Sequence, residues 1–260
     1  MRLDKFLAAS SVGTRQKVRS YVKDGLVKVN GQVILKSALE INEQKDIIEY
    51  LDKIVESREK VYYMLHKPGG CITARTDADS KTVMDYFHGV NMNGIFHVGR
   101  LDKDTEGLLF LTNDGDFNNE IMCPEKHVEK TYFFWALGSI SEEDKRRLEE
   151  GLSIGQGEAI TKPAKIQVVN SGTYMEFEKE LEVVKFYNMK SNHPNQSVVS
   201  GYLTISEGRK HQVKRMLKAV GCYVVYLKRV SIGGLVLDEA LEEGQYRMLE
   251  ENEIRKIFGK

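Results

Sequence analysis

The chain lacks the residues that would fasten it covalently or around a metal. Its 260 residues include three cysteines, Cys71, Cys123 and Cys222, odd in number and far apart. No C-x-x-C pair occurs, which argues against a zinc knuckle and a disulfide framework; three reduced thiols in or near the core are expected. The six histidines are scattered, with no H-E-x-x-H or H-x3–5-H spacing, so no metal site is expected. No apolar run approaches the ~20 residues that a membrane span needs. The opening Met1-Arg2-Leu3-Asp4-Lys5 lacks the apolar core of a secretory signal, which makes the cytosol the expected address. Repeats and low-complexity tracts are also missing.

Net charge is absent as well, since 38 basic side chains balance 38 acidic ones. That total hides segregation. Residues 1–28 carry seven basic side chains (Arg2, Lys5, Arg15, Lys17, Arg19, Lys23, Lys28) against Asp4 and Asp24. Residues 207–229 carry seven more (Arg209, Lys210, Lys214, Arg215, Lys218, Lys228, Arg229) against Glu207. Acidic stretches at 40–56 and 238–253 restore the balance. Segregated charge creates local fields, and two basic patches could bind phosphates or could simply be solvated faces.

What is present is an ordinary globular composition, 41% hydrophobic and 29% charged, long enough for one or two domains. Leu3, Phe6 and Leu7 fall at helical spacing within residues 3–10. Gly13 breaks the chain, Thr14 is a plausible N-cap, and 15–24 reads as a second helix with Val18 and Val22 inward. Asn30-Gly31 lies between β-prone runs, the strongest short hairpin signal. The first ~45 residues therefore form a helix–helix–hairpin unit, too small to be very stable alone. Residues 52–60 are mainly polar and read as a linker, which gives domains of 1–52 and 60–260. Beyond the linker, strands are expected at 61–65, 95–98, 108–112, 132–137, 164–169, 202–205 and 223–230. Ser141-x-x-Asp144 fits a capping box, and 210–220 reads as a helix. Residues 188–200 read as an exposed loop. Several strands lack the intervening helix that parallel pairing needs. The expected fold is α+β: a mixed, mostly antiparallel sheet with flanking helices behind the small N-terminal unit.

The densest segment is Gly99-Arg100-Leu101-Asp102-Lys103-Asp104-Thr105-Glu106-Gly107, a polar loop between two buried strands, followed by Leu108 through Gly115. Loops held by a rigid sheet tend to carry catalytic side chains. Spacing alone also admits a solvated loop, or a carboxylate pair for glycoside hydrolysis.

Residues 99–115 resemble the signature of the pseudouridine synthases, in the branch with a small N-terminal RNA-binding domain that modifies ribosomal RNA. Residues 1–39 resemble a helix–helix–hairpin RNA-binding domain first described in a small-subunit ribosomal protein. Lys67-Pro68-Gly69-Gly70, Lys130-Thr131-Tyr132, Glu207 through Met216 and Leu227-Lys228-Arg229-Val230 match further family elements in order. His97 stands where many relatives have proline. The resemblance implies that Asp102 is the essential catalytic residue, with Tyr132 and Lys214 as partners. It implies a specific uridine of ribosomal RNA as substrate, free or in an assembling subunit. The opening residues, 103–107, 126–132 and 161–164 look most like the small-subunit branch; a large-subunit enzyme and a catalytically silent ribosome-assembly protein are the alternatives.

Pseudouridine forms when C1′–N1 of uridine breaks, the base turns, and C5 bonds to C1′. No water, metal or redox cofactor is consumed, so no cofactor is expected. An ionised carboxylate can trap the electron-poor sugar carbon or add to the base. In a closed pocket it needs a nearby cation to stay charged, the role expected of Lys214. Tyr132 offers a face to stack on the flipped uracil. Asp102, Tyr132 and Lys214 are expected to share one base-sized cleft, with Asp104 and Glu106 shaping the loop. Arg2, Lys5, Arg15, Lys17, Arg19, Arg100, Arg209, Lys210 and Arg215 are expected to meet RNA. Nothing in the sequence calls for an obligate oligomer, and a monomer is expected.

Overall fold

Helix α1 (Leu3–Ala9) buries Leu3, Phe6 and Leu7, and α2 (Arg15–Lys23) buries Val18 and Val22, as their helical spacing predicts. Thr14 caps α2 by accepting the Lys17 amide. Strands β1 (Val27–Val29) and β2 (Gln32–Val33) meet across Asn30-Gly31, whose φ values of 52° and 77° suit a two-residue type I′ turn. The computed structural model describes residues 1–183 and 194–259.

The N-terminal unit extends further than a single hairpin. β3 (Ile48–Tyr50) pairs with β1, and β4 (Lys53–Ile54) pairs with β3, giving the order β2-β1-β3-β4. The expected linker at 52–60 thus begins inside the sheet. Lys53 and Ile54 can pair with β3 because Leu51 and Asp52 turn the chain with φ of 51° and 60°, a left-handed conformation that aspartate tolerates but that leucine does not announce. Val27, Val29, Ile41 and Ile48 complete the core beneath the two helices.

The chain divides into two units. One comprises Met1–Tyr62, Gly89–Phe96 and Leu111–Phe117; the other comprises Tyr63–His88, His97–Phe110 and Asn118–Lys260. A nine-stranded sheet runs through the second. Its strands are β5 (Tyr62–Lys67), β6 (Phe96–Val98), β7 (Glu106–Thr112), β8 (Lys130–Leu137), β9 (Lys165–Thr173), β10 (Ser197–Ile205), β11 (Tyr223–Ile232), β12 (Leu235–Val236) and β13 (Tyr246–Met248). The order is β13-β5-β7-β11-β8-β10-β9, with β6 beside β7 and β12 beside β11. β7 and β11 run parallel, whereas β11 with β8, β8 with β10, and β10 with β9 are antiparallel. The fold is α+β with a mixed sheet.

β7 is buried along its whole length, which explains its near-continuous apolar run. β9, at the edge, alternates exposed and half-buried residues. Helices α3 (Gly115–Met122), α4 (Glu142–Glu150), α5 (Glu178–Val183), α6 (Gln212–Ala219) and α7 (Glu251–Ile257) complete the chain. The Ser141–Asp144 capping box forms at the start of α4. Strands run longer than expected where polar residues continue the pairing. Ser197–Ser200, read as loop, belong to β10, because Ser197 through Ser200 each find partners on both β8 and β9 except at the Ser197 end of β8. Residues 188–193 of that expected loop lie outside the described residues.

Among the described residues, no helix is long and apolar enough to cross a membrane. All three cysteines are free thiols, with Cys71 and Cys222 buried.

Candidate active site

β6 ends at Val98 and delivers the chain into the polar run 99–105. Side chains from elsewhere brace that run. Thr73 Oγ1 donates to the Leu101 carbonyl at 2.8 Å and accepts from the Leu101 amide at 3.1 Å. Lys67, wholly buried at the end of β5, donates to the carbonyls of Thr105 at 2.8 Å, Pro68 at 3.1 Å and Lys103 at 3.3 Å. Burial pushes its amine below the ordinary lysine value. The Lys-Pro-Gly-Gly turn thereby anchors the loop from beneath.

The loop presents Asp102 and Asp104 to α6. His211 caps that helix in a left-handed conformation, φ 52°, and places Nε2 3.4 Å from Asp102 Oδ1. Lys214 follows one turn later on the same face. Its Nζ lies 3.9 Å from Asp102 Oδ2, but 2.5 and 2.6 Å from the two oxygens of Asp104. Asp104 is therefore the nearer partner, where Asp102 alone was expected. A compact ammonium settles against the carboxylate that offers both oxygens, while remaining close enough to act on the second. Asp102 keeps 30% of its side chain exposed, so its oxygens can be reached from outside.

Tyr132 sits on β8, nine-tenths buried, opposite Arg229 of β11. Arg229 in turn lies beside Gly107 of β7, immediately past the loop. Arg229 Nη1 donates to the Tyr132 hydroxyl at 3.5 Å, and the guanidinium carbon is 6.0 Å from the ring centroid. Arg229 Nε donates to the Leu108 carbonyl at 2.7 Å, and the buried Nη2 has no protein partner among the described residues. The structure thus brings Asp102 and Lys214 into direct electrostatic contact. Tyr132 bonds to neither among the described residues; it is tied to the loop's far end through Arg229.

Sequence reasoning missed His211 and Arg229 as members of this constellation. His211 precedes Lys214 by one helical turn, a signal that was available. Arg229 stands out in the sequence as part of a basic segment and of a family element on an expected strand, but nothing local marks it as buried against Tyr132.

The residues expected to meet RNA fall into two sets. Arg15, Lys17, Arg100 and Lys210 are exposed. The others are engaged. Arg209 donates to Ala159, to the Ile160 carbonyl at 2.8 Å and to Glu207 at 3.2 Å. Arg215 donates to the Ile154 carbonyl at 3.0 Å and to Glu158 at 2.5 Å. These two arginines tie residues 154–160 to α6 and to the segment just before it. Lys5 pairs with Asp116. Arg2 and Arg19 converge on Asp4.

The RNA pseudouridylate synthase family model matches residues 61–219, and the S4 domain model matches residues 1–47. The chain is 40% identical to an uncharacterised RNA pseudouridine synthase of Bacillus subtilis, over 99% of this chain and 98% of that one. It is 35% identical to ribosomal small subunit pseudouridine synthase A of Haemophilus influenzae, covering 99% of each. It is also 35% identical to ribosomal large subunit pseudouridine synthase B of Bacillus subtilis, covering 98% of this chain and 95% of that one. A crystal structure described as a pseudouridylate synthase superposes with a TM-score of 0.65 at 35% identity, covering 99% of both chains. With its signature loop, its sheet and its N-terminal unit all accounted for in order, the chain belongs to the RNA pseudouridylate synthase family.

Proposed function

We propose that this enzyme isomerises a specific uridine of small-subunit ribosomal RNA to pseudouridine, with Asp102 as the essential carboxylate and Tyr132 and Lys214 as its partners. The observation that carries the assignment is the placement of Asp102. It stands on a loop braced by Lys67 and Thr73, partly open to solvent, with Lys214 of α6 and His211, the cap of that helix, facing its two oxygens.

The uridine must leave its stack to reach Asp102, at a cost of about a few kcal/mol, which phosphate contacts and stacking offset. The carboxylate then traps the electron-poor C1′ or adds to the base as C1′–N1 breaks. The base turns, C5 bonds to C1′, and the proton on C5 is lost while N1 gains one. Lys214 balances the negative charge of the Asp102–Asp104 pair throughout. Residues 1–52 serve as the RNA-recognition unit and 60–260 as the catalytic one. The small-subunit reading rests on the Haemophilus influenzae relative; the large-subunit relative of equal identity supports the second reading.

Asp102→Asn is expected to abolish pseudouridine formation while RNA affinity stays within about twofold, because one neutral-for-charged swap leaves the phosphate contacts intact. Full activity of this variant removes Asp102 from the mechanism. Mapping pseudouridines in both rRNAs from cells with and without the protein decides the substrate. Loss of one site in the small-subunit rRNA is the expected result, and loss from the large-subunit rRNA transfers the assignment.

A further inference from the structure

Asp4 has no exposed surface and sits in α1 between the core residues Leu3 and Phe6. A buried carboxylate is costly unless it is paired. Asp4 receives three hydrogen bonds from two guanidinium groups. Arg2 forks onto it, Nε to Oδ1 at 3.1 Å and Nη2 to Oδ2 at 2.8 Å, and Arg19 Nε reaches Oδ2 at 3.0 Å. Burial pushes the carboxyl up, but the bonds from Arg2 and Arg19 and the charges of Arg2 and Arg15 outweigh it, leaving Asp4 more acidic than usual.

The geometry does more than satisfy the carboxylate. Each arginine spends its inner edge on Asp4. Nη1 of Arg2 and both terminal nitrogens of Arg19 take no protein acceptor among the described residues, and the two side chains are 42% and 56% exposed. Arg15 lies one turn before Arg19 on the same face of α2. Two other cations of this unit are arranged differently: Lys5 is bound to Asp116, and Lys28 to Asp52 at 2.5 Å. A free arginine loses side-chain freedom when it binds a ligand. Arms already held on a buried anchor have lost that freedom beforehand.

We propose that Asp4 is a positioning residue for RNA: it holds Arg2 and Arg19 as one preformed two-guanidinium seat for a backbone phosphate. The proposal rests on the reading of the N-terminal unit as the RNA-recognition unit.

The test exploits opposite signs. Asp4→Asn in the full-length protein removes a negative charge from a basic face, so Coulomb attraction alone tightens binding to a small-subunit rRNA transcript. Loss of the anchor weakens it. The expected result is an affinity about three- to tenfold lower, expressed in KM rather than kcat, with the far-ultraviolet circular dichroism unchanged. Unchanged or tighter binding by the folded variant overturns the proposal. Should Asp4→Asn unfold the unit, the charge-preserving variant Arg2→Lys/Arg19→Lys decides, since it keeps both cations and loses the fork. A loss of about threefold or more supports the seat, and wild-type affinity overturns it. Arg2→Ala/Arg19→Ala tests the underlying reading separately: if that double variant binds the transcript like wild type, the face does not meet RNA at all.

Discussion

Lys67 has no exposed surface, and its ammonium ends on three backbone carbonyls, two of them within the loop that carries Asp102. Replacing it with methionine preserves much of the volume but leaves those carbonyls buried without donors. Lys67→Met is expected to destabilise the protein by about 2 kcal/mol, read as a lower midpoint in urea. Activity should fall further than stability alone explains, because Asp102 loses its brace. A variant with wild-type midpoint and turnover contradicts that role. At this scale the sequence was informative about identity and silent about depth. Lys-Pro-Gly-Gly was legible as a turn, but nothing in it said that the lysine points inward. Asp104 was legible as a loop carboxylate, but not as the nearer partner of Lys214. Burial and pairing of a long side chain depend on what the rest of the chain places around it.

Among the elements, β7 and β11 illustrate how closely the sheet is assembled next to the loop. Gly107 has φ 101°, and a Cβ there would meet the Arg229 carbonyl oxygen at 2.2 Å and the Arg229 amide nitrogen at 2.8 Å. Those neighbours are backbone and cannot swing aside. Gly107→Ala is expected to cost about 3 kcal/mol or more, as strain at positive φ adds to overpacking. Denaturant unfolding measures it, and a cost under about 1 kcal/mol would show that β11 can shift away. Helices, caps and the Asn-Gly hairpin were readable because they follow from residues a few positions apart. The end of the N-terminal sheet was not readable, because β4 depends on positive φ at Leu51 as well as Asp52, and leucine, unlike aspartate, has no preference for it.

For the molecule as a whole, buried lysines shape the response to pH. Lys130 is buried on β8 and donates to the Ile121 and Val128 carbonyls at 3.1 and 2.9 Å. Burial, with the nearby charge of Arg229, lowers its pKa from the ordinary 10.5 to about 8. Between these values the unfolded chain holds the proton that the folded protein has released. The unfolded state then binds more protons, so this group's contribution to stability rises with pH across that window. Wild type is therefore expected to gain stability relative to Lys130→Met from pH 8 to about 10.5, measured by paired urea titrations at each pH. A constant difference between the two proteins across the window would mean that Lys130 keeps its proton when folded.

By itself the sequence determined the class of fold, the two basic segments, the loop carrying Asp102 and the family, because helical and strand periodicity, turn chemistry and ordered motifs are written in neighbouring residues. Only the tertiary structure decided who pairs with whom: Lys214 with Asp104 across 110 positions of sequence, Arg229 against Tyr132, Arg2 and Arg19 on Asp4. Those partnerships follow from a strand order in which β7, β11 and β8 become neighbours, and from two helices closing over one carboxylate. Electrostatic and hydrogen-bonding energies depend on distance in space, and a linear chain records only distance along itself.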